Sequence, residues 1–374
     1  MKNKFLFVLL ILVLITALLP VNIYVTVIFS VLVLLLGFSS RYIDGTFAFL
    51  MLFSVFYSLI IFFNGEVVSV ANTISYAISP VAFYTLGKLF TDKVDSKQKY
   101  IAMWAIIIAC YIFPLGYKTL YSISEFGVVN LYRTLGGEGD ETLAATLYGL
   151  HASVGLSAIS ILFCKIKGIG WQKFILLICT SLSLLCVVHL VNRAGLIVLA
   201  CTIFVCVLYN IKKNPYNILI LGFLFGFLFF IVDKVGLIGE DVLSAYQSRE
   251  LAAETDASSM GGRVDLWFNA LKHLFTDPMG FKSISHFAHN LWLDIARVSG
   301  IIPFIFFLFA TINNYSGLYR YIKRGDTIVP FILGLNVALF LSSFVEPVIE
   351  GSLLYFYILL FLWGCNRRLL YKQF

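Results

Sequence analysis

Residues 261–303 of this chain read GGRVDLWFNALKHLFTDPMGFKSISHFAHNLWLDIARVSGIIP, and they form the only long polar passage in its C-terminal half. They hold three of the five histidines. The passage opens with Gly-Gly-Arg, continues through an amphipathic segment, turns at residues 277–280 and leads into an apolar helix through His289-Asn290. The sequence on both sides is mostly apolar. We therefore expect this stretch to lie outside a membrane and to carry the chemistry.

The composition is that of a membrane protein. Of the 374 residues, 60% are hydrophobic and 13% are charged, whereas a soluble domain is about half apolar and about a quarter charged. We therefore predict an all-α polytopic membrane protein in which residues 1–374 form a single integral membrane domain. Lys and Arg collect in the cytoplasmic loops of such proteins, so a net charge of +7 does not call for a nucleic-acid partner.

Apolar runs long enough to cross a bilayer recur along the chain. A transmembrane helix needs about 20 such residues, and on this criterion we predict about twelve spans. They lie near residues 4–20, 22–39, 43–63, 67–90, 99–116, 146–164, 172–190, 193–210, 215–233, 288–311, 327–345 and 350–366. With both termini in the cytoplasm, roughly 18 of the 27 Lys and Arg residues face that side, as the positive-inside rule requires.

Two long loops then face the outer side of the membrane, at residues 117–145 and 234–287. Loops of this length in a compact domain are usually functional or disordered. The second loop has apolar residues at helical spacing, namely Trp267, Phe268, Leu271, Leu274 and Phe275. We predict an amphipathic helix at 263–275 that lies on the outer face of the membrane or caps a cavity. The alternative is a cover with no ligand role.

Neither metal nor cofactor chemistry is predicted. The sequence has no P-loop, no dinucleotide-binding fingerprint and no HExxH motif, which disfavours ATP-driven transport and zinc chemistry. All the cysteines fall inside apolar runs, where we expect neither a disulfide framework nor a metal cluster. They are Cys110, Cys164, Cys179, Cys186, Cys201, Cys206 and Cys365.

The five histidines all map to the predicted outer face or just inside it. They are His151, His189, His273, His286 and His289. His289 is the best candidate for a base, because it stands where the large loop meets a helix and a neutral imidazole can take a proton from a hydroxyl. The alternative for His289 is an interfacial cap, and for His273 and His286 we favour structural roles.

Two arginines are candidates for binding an anionic ligand. Arg193 stands at a short outer turn, against the orientation bias of the chain, and Arg263 follows two glycines whose flexible backbone allows close approach of a ligand. A guanidinium binds phosphate through a fork of donors, so the pair suits a lipid-linked diphosphate. The alternative is a set of salt bridges to Glu250, Glu254, Asp256 or Asp265.

Four further charged residues lie in or beside predicted spans. Asp294 and Arg297 fall inside the span at 288–311, three residues apart and so on neighbouring helical faces. Charges within a membrane suggest function, but we favour an internal ion pair that fixes helix packing. Glu346 and Glu350 stand at the last outer turn, where they could hold a sugar hydroxyl or pair with one of the two candidate arginines.

The order of these motifs resembles that of the O-antigen polymerase and O-antigen ligase superfamily. An arginine stands at an outer turn, in residues 192–196, and a large outer loop opens with Gly-Gly-Arg263. A Pro-x-Gly follows at 278–280, and then His289-Asn290, nine residues and Gly300. The resemblance covers most of the chain and implies a GT-C-like architecture of about twelve helices, with a large periplasmic loop that includes the catalytic or lid region.

The resemblance implies a glycosyltransferase of the bacterial inner membrane whose active site faces the periplasm. The donor would be an undecaprenyl-diphosphate-linked oligosaccharide, and the transfer would be metal-independent and inverting. By motif, His289 would activate the acceptor hydroxyl, and Arg193 and Arg263 would bind the diphosphate and stabilise its departure. Further candidates for substrate binding are Asn290, His189, Glu346, Glu350, Arg133 and His151.

Three functions remain open, and we favour a polymerase that extends a lipid-linked polysaccharide chain. A ligase that transfers the glycan to lipid A-core shares the chemistry. Ligases often have Gly-x-x-Gly at this point, however, whereas residues 300–303 here have Pro303 at the last position of that motif. A flippase or other transporter is the third, and the chain lacks the two-half repeat of many transporters. A polymerase would have membrane lipid around it and a possible chain-length-regulator protein as a partner.

Overall fold

The structure is a computed structural model that describes residues 23–37, 42–65, 70–130, 135, 141–211, 244, 263–284 and 286–372. The predicted spans at 4–20 and 215–233 lie outside the described residues. So do Arg133 and most of the predicted loop at 234–287.

The described chain is helical throughout and has no strand, as its composition predicted. The α5 helix continues directly as a 3₁₀ helix at Ser157–Phe163. The helices are α1 (Ile23–Gly37), α2 (Gly45–Phe63), α3 (Val70–Lys93), α4 (Lys97–Phe126), α5 (Glu141–Leu156), α6 (Gly170–His189), α7 (Arg193–Ile211), α8 (Arg263–Thr276), α9 (Leu291–Ser299), α10 (Ile301–Ile322), α11 (Val329–Val345), α12 (Val348–Gly351) and α13 (Leu353–Leu369).

Six helices of the described chain are long and apolar enough to cross a membrane. They are Gly45–Phe63, Lys97–Phe126, Ala145–Phe163, Gly170–His189, Arg193–Ile211 and Ile301–Ile322. The helices at Tyr24–Gly37 and Val329–Val345 are apolar but shorter. The chain is therefore a helical membrane protein, as predicted, while the total of about twelve spans stays a prediction.

The helices on either side of the predicted outer loop at 117–145 extend into it. The α4 helix does not end at residue 116 but continues to Phe126. It ends there because Gly127 adopts a left-handed φ of 81° and donates its N–H to the carbonyl of Ile123 at 2.9 Å, which is the usual role of glycine after a helix. The next helix already begins at Glu141.

The predicted span at 288–311 is also wrong, because it is broken at Gly300 into α9 and α10. Gly300 has a φ of 79°, and a Cβ on it would lie 1.9 Å from the carbonyl oxygen of Pro278. The same carbonyl accepts the N–H of Ile301 at 3.0 Å. Asp294 and Arg297 consequently lie on a nine-residue helix rather than inside a long span.

Two compact units make up the chain. The first, called the His289 unit, takes its described residues from 1–100, 263–326 and 347–374. The second, called the His189 unit, takes them from 101–262 and 327–346.

In the His289 unit, helices approach closely at small residues. A Cβ on Gly87 of α3 would lie 2.0 Å from the carbonyl oxygen of Phe361, and one on Gly364 of α13 would lie 1.9 Å from that of Tyr84. Helix pairs in membranes use such small residues, because van der Waals packing replaces the hydrophobic driving force there. These glycines fix the α3–α13 crossing.

The amphipathic α8 packs against α9 within the His289 unit. The buried residues between them form one apolar cluster of Ala270, Leu274, Phe281, Ala288, Leu293 and Ala296. The opposite side of α8 exposes Phe268 and Phe275. The predicted helix at 263–275 is therefore confirmed, and its buried face supports the start of α9.

The His189 unit uses small residues in the same way. A Cβ on Gly155 would lie 2.0 Å from Oγ of Ser183, and the Gly155 carbonyl accepts the Thr180 hydroxyl at 3.1 Å. A Cβ on Gly334 of α11 would lie 2.2 Å from Cβ of Ser160. The α5–α6 and α11–3₁₀ contacts are fixed by these close approaches.

Candidate functional site

His289 stands directly before α9, in an unusual backbone conformation. Its φ is 51°, a left-handed value that is uncommon for residues other than glycine and often occurs at functional sites. The next residue, Asn290, is the N-cap of α9, and its Oδ1 accepts the N–H groups of Trp292 at 3.1 Å and Leu293 at 3.2 Å. Asn290, predicted to bind substrate, thus uses its side-chain oxygen to start the helix.

The carboxylate of Asp294 bonds to the backbone on both sides of His289. Its Oδ1 accepts the N–H of Ala288 at 2.7 Å, and its Oδ2 accepts the N–H of Asn290 at 3.1 Å. The carbonyl of Ala288 in turn accepts the indole N–H of Trp267 on α8 at 2.8 Å. Three hydrogen bonds from two side chains, one on α8 and one on α9, therefore hold the residues that flank His289.

Arg297 lies behind this carboxylate. Its Nε is 3.6 Å from Oδ1 of Asp294, and its guanidinium forms an ion pair with Glu350 and lies 4.8 Å from the centre of the Phe287 ring. Glu350 also lies 3.7 Å from Nζ of Lys282. Glu350, predicted to bind a sugar or pair with Arg193 or Arg263, thus pairs with Arg297 and Lys282.

Burial raises the pKa of Asp294 to about 6, although the two N–H donors and Arg297 act in the opposite direction. The side chain is completely buried. A carboxylic acid with this pKa is still ionised at neutral pH. The bonds to the two backbone N–H groups are therefore charge-assisted, which makes them stronger than bonds between neutral groups.

The imidazole of His289 makes no hydrogen bond to any residue that the structure describes, and its Nδ1 is buried. Burial and then the positive charge of Arg263 lower the pKa of His289 to about 4. The ring is therefore neutral at physiological pH. Buried polar atoms in proteins nearly always have partners, so an unused ring nitrogen indicates a place for a ligand group.

Arg263, the first residue of α8, is half-buried and belongs to the same unit as His289. It follows the two glycines singled out in the sequence. Its charge acts on the His289 ring, because it is one of the two causes of that ring's lowered pKa. Arg263 and His289 are thus electrostatically coupled.

Two of the sequence motifs, the Pro-x-Gly at 278–280 and Gly300, contact each other at the end of α9. Pro278 and Gly280 belong to the Pro-x-Gly, and Gly300 ends the nine-residue spacer after His289-Asn290. A Cβ on Gly280 would lie 2.8 Å from the carbonyl oxygen of Val298, and one on Gly300 would lie 1.9 Å from that of Pro278. The two motifs are about 20 residues apart in the sequence but pack against each other in the structure.

His189 in the other unit has both ring nitrogens occupied. Its Nε2 lies 2.8 Å from the hydroxyl of Ser122, and its Nδ1 lies 3.0 Å from the carbonyl oxygen of Val128. The carbonyl can only accept, so Nδ1 carries the proton and Nε2 accepts from the serine. The His189 carbonyl also accepts the N–H of Asn130 at 2.8 Å. His189 thereby fixes the segment after α4.

Arg193, the first residue of α7, has an unused donor. Its Nη2 is buried and has no hydrogen-bond partner among the described residues. Before it, Asn192 accepts the N–H of Gly195 at 3.0 Å and donates to the carbonyl of Ala145 at 3.0 Å. A cation at the N-terminus of a helix is unfavourable by itself but favours a bound anion.

The remaining candidates are placed as follows. His151 in α5 stacks on Tyr111, with ring centres 5.0 Å apart. Glu346 is buried at the end of α11, in the His189 unit. In the His289 unit, Nδ1 of His273 lies 2.9 Å from Oδ2 of Asp277, and the His273 ring stacks on Phe281. The His289 unit thus contains Arg263, His289, Asn290 and Glu350, and the His189 unit contains His151, His189, Arg193 and Glu346.

Asp294 is the residue whose place the sequence did not indicate. A capping box puts an acid three residues after the N-cap, from where it reaches back to the N-cap N–H. Asp294 makes that bond from four residues after Asn290. The spacing therefore suggested an ion pair with Arg297, and the second bond, to Ala288, depends on the left-handed His289.

No known protein family matches this chain, and no curated protein matches it either.

Proposed function

We propose that this chain is a glycosyltransferase that extends a bacterial surface polysaccharide. It moves a glycan from an undecaprenyl-diphosphate carrier to the sugar of another lipid-linked repeat unit, on the periplasmic side of the inner membrane. The observation that carries the proposal is the His289 imidazole, which is neutral, half-buried and without a hydrogen bond to the described residues. The order of the motifs supports the substrate class.

In this reaction the acceptor hydroxyl oxygen attacks the anomeric carbon of the donor sugar. The hydroxyl proton passes to His289, and the bond between the anomeric carbon and the diphosphate oxygen breaks with inversion. A neutral imidazole is suited to accept this proton, because it is already deprotonated at neutral pH. Its low pKa makes it a weak base, which matches a reaction in which departure of the diphosphate precedes most of the proton transfer.

The diphosphate leaves with its electron pair and needs compensating positive charge. Arg263 can supply it beside His289, and Arg193 has a buried Nη2 without a partner among the described residues. The resemblance assigns both arginines to the donor diphosphate. An anion at Arg263 would also weaken the charge that depresses the pKa of His289, so donor binding would strengthen the base.

The test is an elongation assay with purified protein in liposomes. Repeat units linked to the lipid diphosphate are supplied alone, and the products are separated by size. We expect a ladder of longer lipid-linked glycans that His289→Ala and Arg263→Ala abolish. The matched control is His273→Ala, which removes another histidine of the same unit, one already bonded to Asp277.

The assay also separates the rival functions. Transfer only after lipid A-core is added would show a ligase instead of a polymerase. If no new glycosidic bond forms under either condition, although an extract of the natural source elongates the same repeat units, the proposed enzymatic activity is contradicted and a transporter is favoured. A ladder that persists in His289→Ala would remove the proposed base.

A further inference from the structure

The geometry points to Asp294 as the positioning residue of His289: its carboxylate holds the backbone on both sides of the histidine and so fixes where the imidazole stands. The inference rests on the proposed function, because it assigns a task to the base of that reaction. It adds to our sequence-based interpretation of an internal ion pair between Asp294 and Arg297, a pair that the structure contains.

Asp294 bonds to the residues on both sides of His289. Its side chain contacts three polar groups of the described chain, namely the N–H groups of Ala288 and Asn290 and the guanidinium of Arg297. Arg297 lies on the same short helix, so this ion pair joins no second helix. The two remaining bonds both end on the residues that flank His289.

The α9 helix does not need the two bonds that Asp294 accepts. The first N–H groups of α9 are already capped by the Asn290 side chain. The N–H groups that Asp294 binds belong to the N-cap residue and to the residue before His289. Their effect is to hold a left-handed non-glycine residue in place, a conformation that persists only where its surroundings enforce it.

The buried carboxylate of Asp294 needs partners to stay charged. A buried charge is costly unless it is paired and hydrogen-bonded. Arg297 lies 3.6 Å away and is itself paired with Glu350. The two N–H donors and Arg297 favour the ionised form of Asp294, against burial and the negative charge of Glu350. The charged carboxylate accepts one hydrogen bond from each residue that flanks His289. Arg297 supports the carboxylate, and the carboxylate bonds to the backbone on both sides of His289.

The test separates charge balance from positioning with three variants. Asp294→Asn keeps the size but turns one acceptor into a donor, so one backbone N–H loses its partner. Arg297→Met keeps the carboxylate and removes its cation. The double variant Asp294→Asn/Arg297→Met removes both and restores charge balance. Thermal unfolding in detergent and the kcat and KM for lipid-linked repeat units are measured at about pH 8, where aspartate is ionised.

We expect stability to follow charge balance and turnover to follow Asp294. Both single variants should unfold at lower temperature than the wild type, and the double variant should recover. Turnover should fall on the order of 100-fold in both variants that carry Asp294→Asn, as misplacement of a catalytic group does, with KM nearly unchanged. Asp294→Glu, which keeps two acceptors, should recover part of the turnover. If the double variant recovers turnover together with stability, the positioning role is wrong.

A second measurement does not depend on activity. Diethyl pyrocarbonate modifies neutral histidines, and the rate at His289 can be followed by peptide mass spectrometry. We expect His289 to react severalfold faster in the double variant, because the half-buried ring is released, while His273 keeps its rate. An unchanged rate at His289 would overturn the inference even if the wild type shows no elongation, an outcome that by itself counts against the proposed function only.

Discussion

Two helices of this chain begin in the same way, at an asparagine cap preceded by a left-handed residue. In the His189 unit, Asn192 precedes α7 and Val191 has a φ of 50°. In the His289 unit, Asn290 precedes α9 and His289 has a φ of 51°. The backbone device is shared, but one turn presents a buried valine and the other an imidazole. The strained turn alone therefore does not mark a reactive site, and the side chain standing on it decides.

The histidines near the two turns differ in the same sense. His189 is buried and uses both ring nitrogens, on Ser122 and Val128. His289 uses neither on the described residues, and its Nδ1 is buried. Leaving a buried polar group unpaired costs free energy, so a protein gains nothing in stability by keeping His289. The two histidines therefore differ in the bonding of their rings.

The largest expected effect comes from exchanging the two left-handed residues for glycine. His289→Gly should reduce elongation by about 10² to 10⁴-fold, the usual contribution of a general base. It should also raise the free energy of unfolding by about 1 kcal/mol, because glycine relieves the left-handed strain. Turnover and chemical denaturation in detergent measure the two effects.

Val191→Gly is the matched change in the other turn. It relieves the same strain but removes a buried side chain, which normally contributes about 1.5 to 3 kcal/mol. We expect a net loss of about 1 kcal/mol of stability and retained elongation. The comparison fails if His289→Gly keeps its turnover, or if Val191→Gly loses as much turnover as His289→Gly.

The next effect concerns two glycines, Gly300 at the far end of α9 and Gly149 beside the Asn192 cap. Gly300→Ala puts a Cβ 1.9 Å from the backbone carbonyl of Pro278 in a left-handed position, so we expect a loss of about 3 kcal/mol or more. Gly149→Ala puts a Cβ 1.8 Å from Nδ2 of Asn192. That side chain can move and would lose one bond, at a cost of about 1 to 2 kcal/mol.

Thermal unfolding compares these variants with Gly65→Ala. Gly65 has a φ of 68° with nothing within 4 Å of its Cβ position, so it isolates the cost of left-handed strain, about 1 kcal/mol. Equal losses for Gly300→Ala and Gly65→Ala would mean that the packing against Pro278 contributes no stability.

Local sequence pattern accounts for what could be predicted. Apolar runs of sufficient length placed helices such as α2, α6 and α7 within a few residues, because a span is determined by its own residues. The amphipathic α8 followed from its spacing. Its buried face and the position of His289 before a helix needed no distant contact to be foreseen.

What the sequence did not indicate depended on distant or backbone-specific contacts. The break at Gly300 requires the Pro278 carbonyl, and the satisfied His189 requires Ser122, which lies 67 residues away in the sequence. The two bonds of Asp294 require the left-handed conformation of His289. None of these contacts has a periodic signal in the sequence, so the helix break and the two backbone bonds were not predicted.

A smaller effect is expected from the satisfied histidine. His189→Ala leaves the Ser122 hydroxyl and the Val128 carbonyl without their partner in a buried place. We expect a loss of about 2 to 3 kcal/mol, since each buried group left unpaired costs about 1 to 3 kcal/mol. Ser122→Ala removes one of the two bonds and should cost about half as much. Stability unchanged in both variants would show that these bonds do not distinguish His189 from His289.

The smallest effect is the pH dependence of His289 itself, read from its reaction with diethyl pyrocarbonate. With a pKa of about 4, the ring should react nearly as fast at pH 5.5 as at pH 7.5, whereas N-acetylhistidine should slow about tenfold. Arg263→Gln should raise the pKa and make the rate at His289 fall sooner on acidification, because one of the two causes is removed. Inorganic pyrophosphate should act in the same direction on the wild type.

The linkage to stability has a definite sign. Below about pH 6.5, His289 is protonated in the unfolded chain but stays neutral in the folded state until the pH approaches about 4. The contribution of His289 to stability is therefore complete above that pH and falls as the pH decreases toward about 4. His189 offers no such test of an open site, because its ring is already bonded. If the reaction rate of His289 falls with pH as that of N-acetylhistidine does, the imidazole is an ordinary, solvated one. The two turns would then not differ in the electrostatic environment of their histidines.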